Sequence, residues 1–191
     1  MTDAGSPSQI PVVEEREFRT IFEQELSYVW HTLRRLGVRG DDVRDQAQEV
    51  FMIVHRLLPE FDRTRPLRPW LFGITFRVAS AYRDKARYRS TEELGDDVTD
   101  DARLPDEQIA DAEKRRLVLR ALDRVDIGRR AVFILAELEG RAVPEIATEL
   151  GIPLNTAYSR LRLAREEFTA AALRLAKERP PLQQAQEGGA R

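Results

Sequence analysis

The sequence predicts an all-α protein of two small helical domains joined by an acidic linker, the second domain containing a helix-turn-helix. Three observations carry this. Apolar residues recur at spacings of three and four along most of the chain, and no alternating strand pattern competes with them. Charge falls in blocks: residues 63–89 hold eight basic residues and one acidic, residues 90–113 ten acidic and one basic. A glycine-centred turn at Gly151 sits between two short apolar patterns in helix-turn-helix register.

The first helix is marked by Phe18, Ile21, Phe22, Val29, Leu33 and Leu36, and Gly37 and Gly40 end it. Asp41 or Asp42 is placed to cap the second, whose stripe is Val43, Ala47, Val50, Phe51, Val54, Leu57 and Leu58 before Pro59. A turn-like stretch from Glu60 to Pro69 leads to a third helix with Trp70, Leu71, Ile74, Val78 and Ala81 or Tyr82, running toward Arg89. Pro105-Asp106 opens a fourth, and another covers about 127–139 and ends at Gly140. Two short helices then meet at Gly151. The boundaries that follow are a flexible tail over 1–14, a domain over 15–90, an acidic linker over 91–113, a second domain over 114–177 and a flexible tail over 178–191.

Composition narrows the function. The 191 residues carry a formal charge of −2, but the block from 114 to 191 has fifteen basic and ten acidic residues, so two basic stretches flank an acidic one. Basic stretches attract polyanions by releasing counterions. With no cysteine, thiolate metal sites, disulfides and cysteine nucleophiles are excluded, and His31 and His55 alone do not build a common zinc site. The longest apolar run, Ala131 to Ala136, is far short of the roughly 18 residues a membrane span needs. The first eleven residues lack the basic start and apolar core of a secretory signal. No phosphate-binding glycine loop and no nucleophile–base pair is visible, so neither a cofactor nor a small-molecule substrate is expected. The expected setting is the cytoplasm.

The sharpest motif is Val143 to Arg162. Ala147 is small where two helices cross, Gly151 permits a positive φ, and Ile146, Leu150, Ile152, Ala157 and Leu161 supply a tripod core. Pro153 suits the start of the second helix. That helix exposes Leu154, Asn155, Tyr158, Ser159 and Arg162, types that reach base edges or phosphates in a major groove, with Thr156 beside them and Arg160 and Arg165 as flanking phosphate partners. An ordinary helical hairpin with a glycine turn would share the glycine but not the full register.

The flanks add a family. The stretch from Leu122 to Phe168, with Arg129-Arg130-Ala131-Val132-Phe133-Ile134-Leu135, Glu139-Gly140 and Ser159-Arg160-Leu161-Arg162-Leu163-Ala164-Arg165, resembles the promoter-binding C-terminal domain of sigma factors of bacterial RNA polymerase. Asp45-Gln46-Ala47-Gln48-Glu49-Val50-Phe51 resembles the family's polymerase-binding helix, and Trp70-Leu71-Phe72-Gly73-Ile74 its promoter-melting helix. Both motifs in family order, in a chain this short, resemble an extracytoplasmic-function (ECF, group IV) factor of the sigma-70 family over about 15–177.

The resemblance implies roles. Asp45, Gln48, Glu49 and Met52 share a helix face apart from the apolar stripe; alone that reads as solvated surface, and by resemblance it docks on the largest subunit of core RNA polymerase. Phe61, Arg63, Arg65, Arg68 and Trp70, with Arg77, Arg83 and Arg87 further along, are implied to open and hold the minus-ten element, with Lys85 and Arg89 as further phosphate contacts. Periodicity with Leu71 and Ile74 places Trp70 in a core rather than on a stacking platform. The family often has Asn where this chain has Arg77 and Asp where it has Ala81, departures that bear on which base is held. The helix-turn-helix is implied to read the minus-thirty-five element of promoter DNA. The acidic linker is implied to thread the polymerase cleft, or is a plain solubilising tether. An anti-sigma factor is an implied partner. The alternative is a helix-turn-helix transcriptional regulator that does not bind core polymerase; it leaves Asp45 to Phe51 and the Trp70 helix unexplained.

Overall fold

The computed structural model describes residues 12–89 and 106–178, with side chains over 15–86 and 112–178. Helix α1 (Val12–Arg35) leads through a 3-10 turn (Gly40–Asp42) into α2 (Val43–Leu57), then a second 3-10 turn (Leu58–Glu60) and α3 (Leu67–Arg89). After the acidic stretch come α4 (Asp106–Asp123), α5 (Ile127–Phe133) continuing as a π turn (Ile134–Leu138), α6 (Val143–Leu150) and α7 (Leu154–Lys177). No strand occurs among the described residues.

Most of the stripe residues read from sequence are buried, while Phe22 and Ala81 stay exposed. Val29, Leu33, Leu36, Val43, Val50, Val54, Leu58, Leu71 and Phe72 have essentially no exposed surface where α1, α2 and α3 meet. Each large side chain so buried contributes about 1.5–3 kcal/mol. Leu122, Val125, Phe133 and Ala164 close a smaller core between α4, α5 and α7, with Phe168 stacked on Phe133 at 4.8 Å. Ala121, Ala171 and Leu175 extend that seam along α4 and α7.

The two helical units are not separate bodies. Ala131, Val132, Ile134, Leu135, Ile146 and Leu161 of the second belong to the same continuous core as the α1–α3 residues. Helix α6 lies on α3, and α4 touches α1.

Several local expectations are corrected. Asp42 stands at the N-cap of α2 but makes no capping bond, because its carboxylate accepts a 2.6 Å hydrogen bond from the Tyr82 hydroxyl of α3. Helix α7 is not short: its 24 residues give it a second half that packs on α4. Helix α4 begins at Asp106, where Pro105-Asp106 marks a helix start in the sequence, so it takes in residues 106–113 of the expected linker, and α1 begins at Val12, inside the expected tail. The remaining linker acids, and residues 1–11 and 179–191, lie outside the described residues. The helix expected over 127–139 widens into a π turn, and Gly140 then reverses the chain with φ +67°. Asp126 caps α5, accepting from the Gly128 and Arg129 amides at 3.0 and 3.3 Å.

Gly151 ends α6 at φ +63° and ψ 36°, with open space where a Cβ would stand. The only penalty for Gly151→Ala is therefore backbone strain. A loss of about 1 kcal/mol is expected in chemical denaturation, without change in the helical circular-dichroism signal.

Candidate nucleic-acid and polymerase surfaces

Three surfaces carry the residues singled out from sequence. On α2, Asp45, Gln48, Glu49 and Met52 are all exposed, as the spacing requires. They line two hollows rather than one. Gln48 and Met52 border an apolar groove against α1, formed by Phe18, Phe22, Leu26, Trp30 and Phe51. The Phe22 and Phe51 rings meet edge to face at 4.8 Å there. Asp45 and Glu49 border the hollow on the other flank of that face, with Arg39, Arg77, Tyr82 and Lys85.

The second surface is the loop before α3 and its outer side. Asp62 accepts from the Thr64 amide at 3.0 Å and hydroxyl at 2.7 Å, bonds that tighten the loop and hold its carboxyl below the usual carboxylate range. That turn lays Phe61 on Trp70 with ring centroids 4.5 Å apart. Trp70 is half-buried: one side supports the core and the other carries Phe61, so it serves packing and the groove wall together. Phe61, Arg65, Arg68, Trp70 and Arg77 line one groove. Among the candidate cations, Arg63 is held by a two-pronged pair to Glu17 at 2.8 and 3.0 Å. Arg68 donates to Glu25 at 3.0 Å and lies over the Tyr28 ring at 5.1 Å. Arg83 approaches Asp123 at 3.8 Å. Arg77 is exposed between both hollows of α3. The side chain of Arg87, like that of Arg89, lies outside the described residues.

The third surface is the start of α7. Leu154, Asn155, Tyr158, Ser159 and Arg162 stand exposed on one side, with Ala157, Leu161 and Ala164 buried on the other. Thr156 is half-buried, and its carbonyl accepts from the Ser159 hydroxyl at 3.0 Å. Arg162 reaches Glu166 one turn on at 2.7 Å. The other two cations point elsewhere. Arg165 is spent on Glu137 of the π turn at 2.6 Å, and Arg160 is half-buried beside Gly128 at the start of α5.

Sequence reading did not find a fourth cluster, between the two units. The Tyr28 hydroxyl of α1 donates to Glu139 at 3.1 Å, across 111 residues of chain. Burial raises the Glu139 carboxyl above its ordinary range and raises the Tyr28 phenol as well. Nearby, Glu149 is nearly enclosed and pairs with Arg141 at 3.3 Å, and burial raises its carboxyl too. On the far side of the junction, Arg130 has no exposed surface; it donates to Asp123 at 2.9 Å and to the Val125 carbonyl at 3.0 and 3.3 Å. Gly37, at φ +90°, lies so close that a Cβ there would overlap the Arg83 and Arg130 guanidinium groups. No single-sequence signal marks this cluster, because its members come from distant turns.

Two family models match the chain. One described as Sigma-70 region 2 matches residues 21–88, which hold the α2 face and the Trp70 groove. One described as Sigma-70, region 4 matches residues 115–168, which hold the helix-turn-helix. The RNA polymerase sigma factor CnrH of Cupriavidus metallidurans is 32% identical over 149 residues, spanning 72% of this chain and 76% of that protein. The chain belongs to the sigma-70 family.

Its relatives place it in the ECF group. The factor is 32% identical over 152 residues to the ECF RNA polymerase sigma factor SigL of Mycobacterium tuberculosis, spanning 76% of this chain and 83% of that one. The solved structure of CnrH in complex with the cytosolic domain of CnrY is similar with a TM-score of 0.60 and 27% identity, covering 86% of this chain and 91% of that one. The sigma factor RpoE in complex with the anti-sigma factor NepR, from Bartonella quintana, shares the fold at a TM-score of 0.64 and 20% identity, covering 86% and 99%. The factor is a transcription initiation factor that directs RNA polymerase to promoters. No helix among the described residues is long and apolar enough to cross a membrane.

Proposed function

We infer that the exposed face of α2 docks the factor on core polymerase, that the groove of Phe61, Arg65, Arg68, Trp70 and Arg77 takes one strand of the melted minus-ten element, and that the start of α7 reads the minus-thirty-five element. The working units are residues 15–90 and 114–177. The observation that carries this is the sidedness of α7: polar and aromatic groups exposed on one face, Ala157, Leu161 and Ala164 buried on the other. A helix so divided presents base-reading groups without disturbing its own packing. The strand groove fits its task, since aromatic walls cover unstacked bases and cations track the backbone.

The factor performs no catalysis of its own, and the polymerase carries the chemistry in the cytoplasm. An anti-sigma protein is its regulator. Arg160 contributes charge near the DNA rather than a direct contact, because its guanidinium is turned toward Gly128, whereas Arg165 flanks the helix as a phosphate partner once DNA displaces its exposed pair with Glu137. Run-off transcription with core polymerase on randomised promoters tests the whole reading; a DNA-binding regulator without core affinity would start no synthesis.

The α2 face gives a sharper test. Glu49 is exposed and apart from the stripe, so Glu49→Lys is expected to leave the melting temperature unchanged. Its affinity for core polymerase, measured by competition against the unaltered factor, should fall roughly tenfold, the size of a charge placed wrongly at a docking rim. Equal competition would remove Glu49 from the interface.

A further inference from the structure

Glu149 of α6 keeps only 6% of its side chain exposed, and neither carboxylate oxygen accepts a hydrogen bond. Among the described residues its only ion-pair partner is Arg141 at 3.3 Å, and Arg141 divides its charge with Glu145 at 3.1 Å. Glu139, the residue that ends the π turn, stands near enough to repel it. Glu139 is half-buried and accepts from the Tyr28 hydroxyl. The Tyr28 phenol is raised by its own burial and by the charge of both carboxylates, so it lies close to the two of them. Glu139 and Glu149 thus share one nearby arginine of their own unit where water is largely excluded.

These groups span the junction of the two units. Tyr28 belongs to α1, and the carboxylates belong to the end of the π turn and to α6. On the α1–α3 side, Arg35 and Arg68 favour the Glu139 anion, but Arg68 already holds Glu25 at 3.0 Å. The groove wall facing Glu149 adds Glu60, Asp62, Arg65 and Arg77, and none of its arginines comes within ion-pair distance of Glu149. Neither histidine is among these groups: His31 is exposed on α1, and His55 packs edge-on against Phe18.

An ionised carboxylate buried without hydrogen bonds carries a free-energy cost that a proton removes. Burial holds both carboxyls above the ordinary value of 4.5, and for Glu139 it outweighs the Tyr28 hydrogen bond and the arginines. When the units part, both carboxyls return to water. The packed chain therefore binds more protons than the parted one. Packing is strongest below the ordinary carboxyl value and weakens as pH rises through the raised ones. We propose that the junction is a proton-linked contact: Glu149 and Glu139 take up protons as α6 and the π turn settle on α1 and α3, so weak acid tightens the two units on each other and neutral pH loosens them. Tyr28 serves both states, because its hydroxyl donates to the Glu139 anion and accepts from the protonated acid. This coupling does not depend on which surface meets DNA or polymerase.

The test uses the full chain, free of polymerase, in urea below its unfolding transition, with helical circular dichroism retained. The chain has no cysteine, so dyes at Arg56→Cys and Leu173→Cys report the separation of the two units. Energy transfer between them should fall as the pH is raised from about 5 to about 8. Glu139→Gln combined with Glu149→Gln keeps the shape and imitates the protonated acids. Its transfer should stay at the acid level throughout, with the ratio of packed to parted chain at the upper pH raised about fivefold or more. Glu149→Gln alone leaves the Tyr28 bond in place; it is the second route should the pair disturb the fold, and it should lose part of the response. Glu60→Gln removes an exposed carboxylate from the facing wall and should keep all of it. A response of unaltered size in the double variant would put the protons elsewhere and overturn the proposal. Transfer that ignores pH in the unaltered chain would overturn it too. So would an equal loss of response in Glu60→Gln, because net charge alone would then be the cause.

Discussion

Replacing Arg130 with alanine is expected to cost about 3 kcal/mol of stability, read as a loss of roughly 6–12 °C in melting temperature for a chain of this size. Arg130 has no exposed surface, yet it is charged. Burial, with Arg83 close by, pulls its pKa down to about 10, so it remains a cation at neutral pH. Its guanidinium supplies both hydrogen bonds that the Val125 carbonyl receives from it and the pair to Asp123. Asp123 is half exposed and returns to water when its partner goes, so the orphaned carboxylate adds little. The loss comes from the carbonyl left without its donors and from the cavity. Arg130→Met fills the space without donors and should recover about half. An alanine variant that melts with the unaltered factor would mean that water replaces the guanidinium, and that this bond network does not hold the α4–α5 corner.

Arg130 also shows where the sequence was opaque. In the run Arg129-Arg130-Ala131-Val132-Phe133, neither arginine looks different from the other. Arg129 is half-buried beside Glu167 of α7, while Arg130 is enclosed. Periodicity reports which side of a helix is apolar, and it placed Val29, Leu33, Val50, Val54 and Leu71 correctly because their own helices dictate that side. It does not report what covers the side. The Tyr82 bond to Asp42 spans 40 residues and the Tyr28 bond to Glu139 spans 111, so the uncapped start of α2 and the bonded junction of the two units left no local trace. The shared core was hidden for the same reason: Ile146 and Leu161 read as the tripod of a helix-turn-helix, and they also belong to the one core that takes in α1–α3.

The candidate surfaces were more legible, since exposure on a helix follows from spacing alone. Leu154, Tyr158 and Met52 are exposed as the helical pattern requires. What spacing could not give is how each cation is spent. Arg63, Arg68, Arg162 and Arg165 all hold carboxylates in the free chain, and Arg165 reaches back to a π turn that no sequence rule anticipated. Such surface pairs are weak, about 0–1 kcal/mol, so phosphate can displace an exposed one.

That competition shapes the expected result for the recognition helix. Arg162 is two-thirds exposed, one turn beyond Tyr158 and Ser159, with Glu166 as its partner in the free chain. Arg162→Ala should weaken binding to the minus-thirty-five element. If the guanidinium makes a bidentate contact to guanine, the loss is about 1–3 kcal/mol, confined to one base pair whose preference relaxes. If it meets a phosphate, all sequences weaken alike and the salt slope falls by about one. Glu166→Ala separates the DNA contact from the free-chain pair: it frees Arg162 and lowers repulsion, so affinity should rise slightly. Leu154→Ala should change base preference with little effect on the slope, since no charge is lost. Titrations of the three variants against single-base promoter changes at several salt concentrations distinguish these outcomes. Undiminished affinity of Arg162→Ala on every sequence would place a different side of α7 against the DNA, and with it the assignment of Tyr158 and Ser159 would fall.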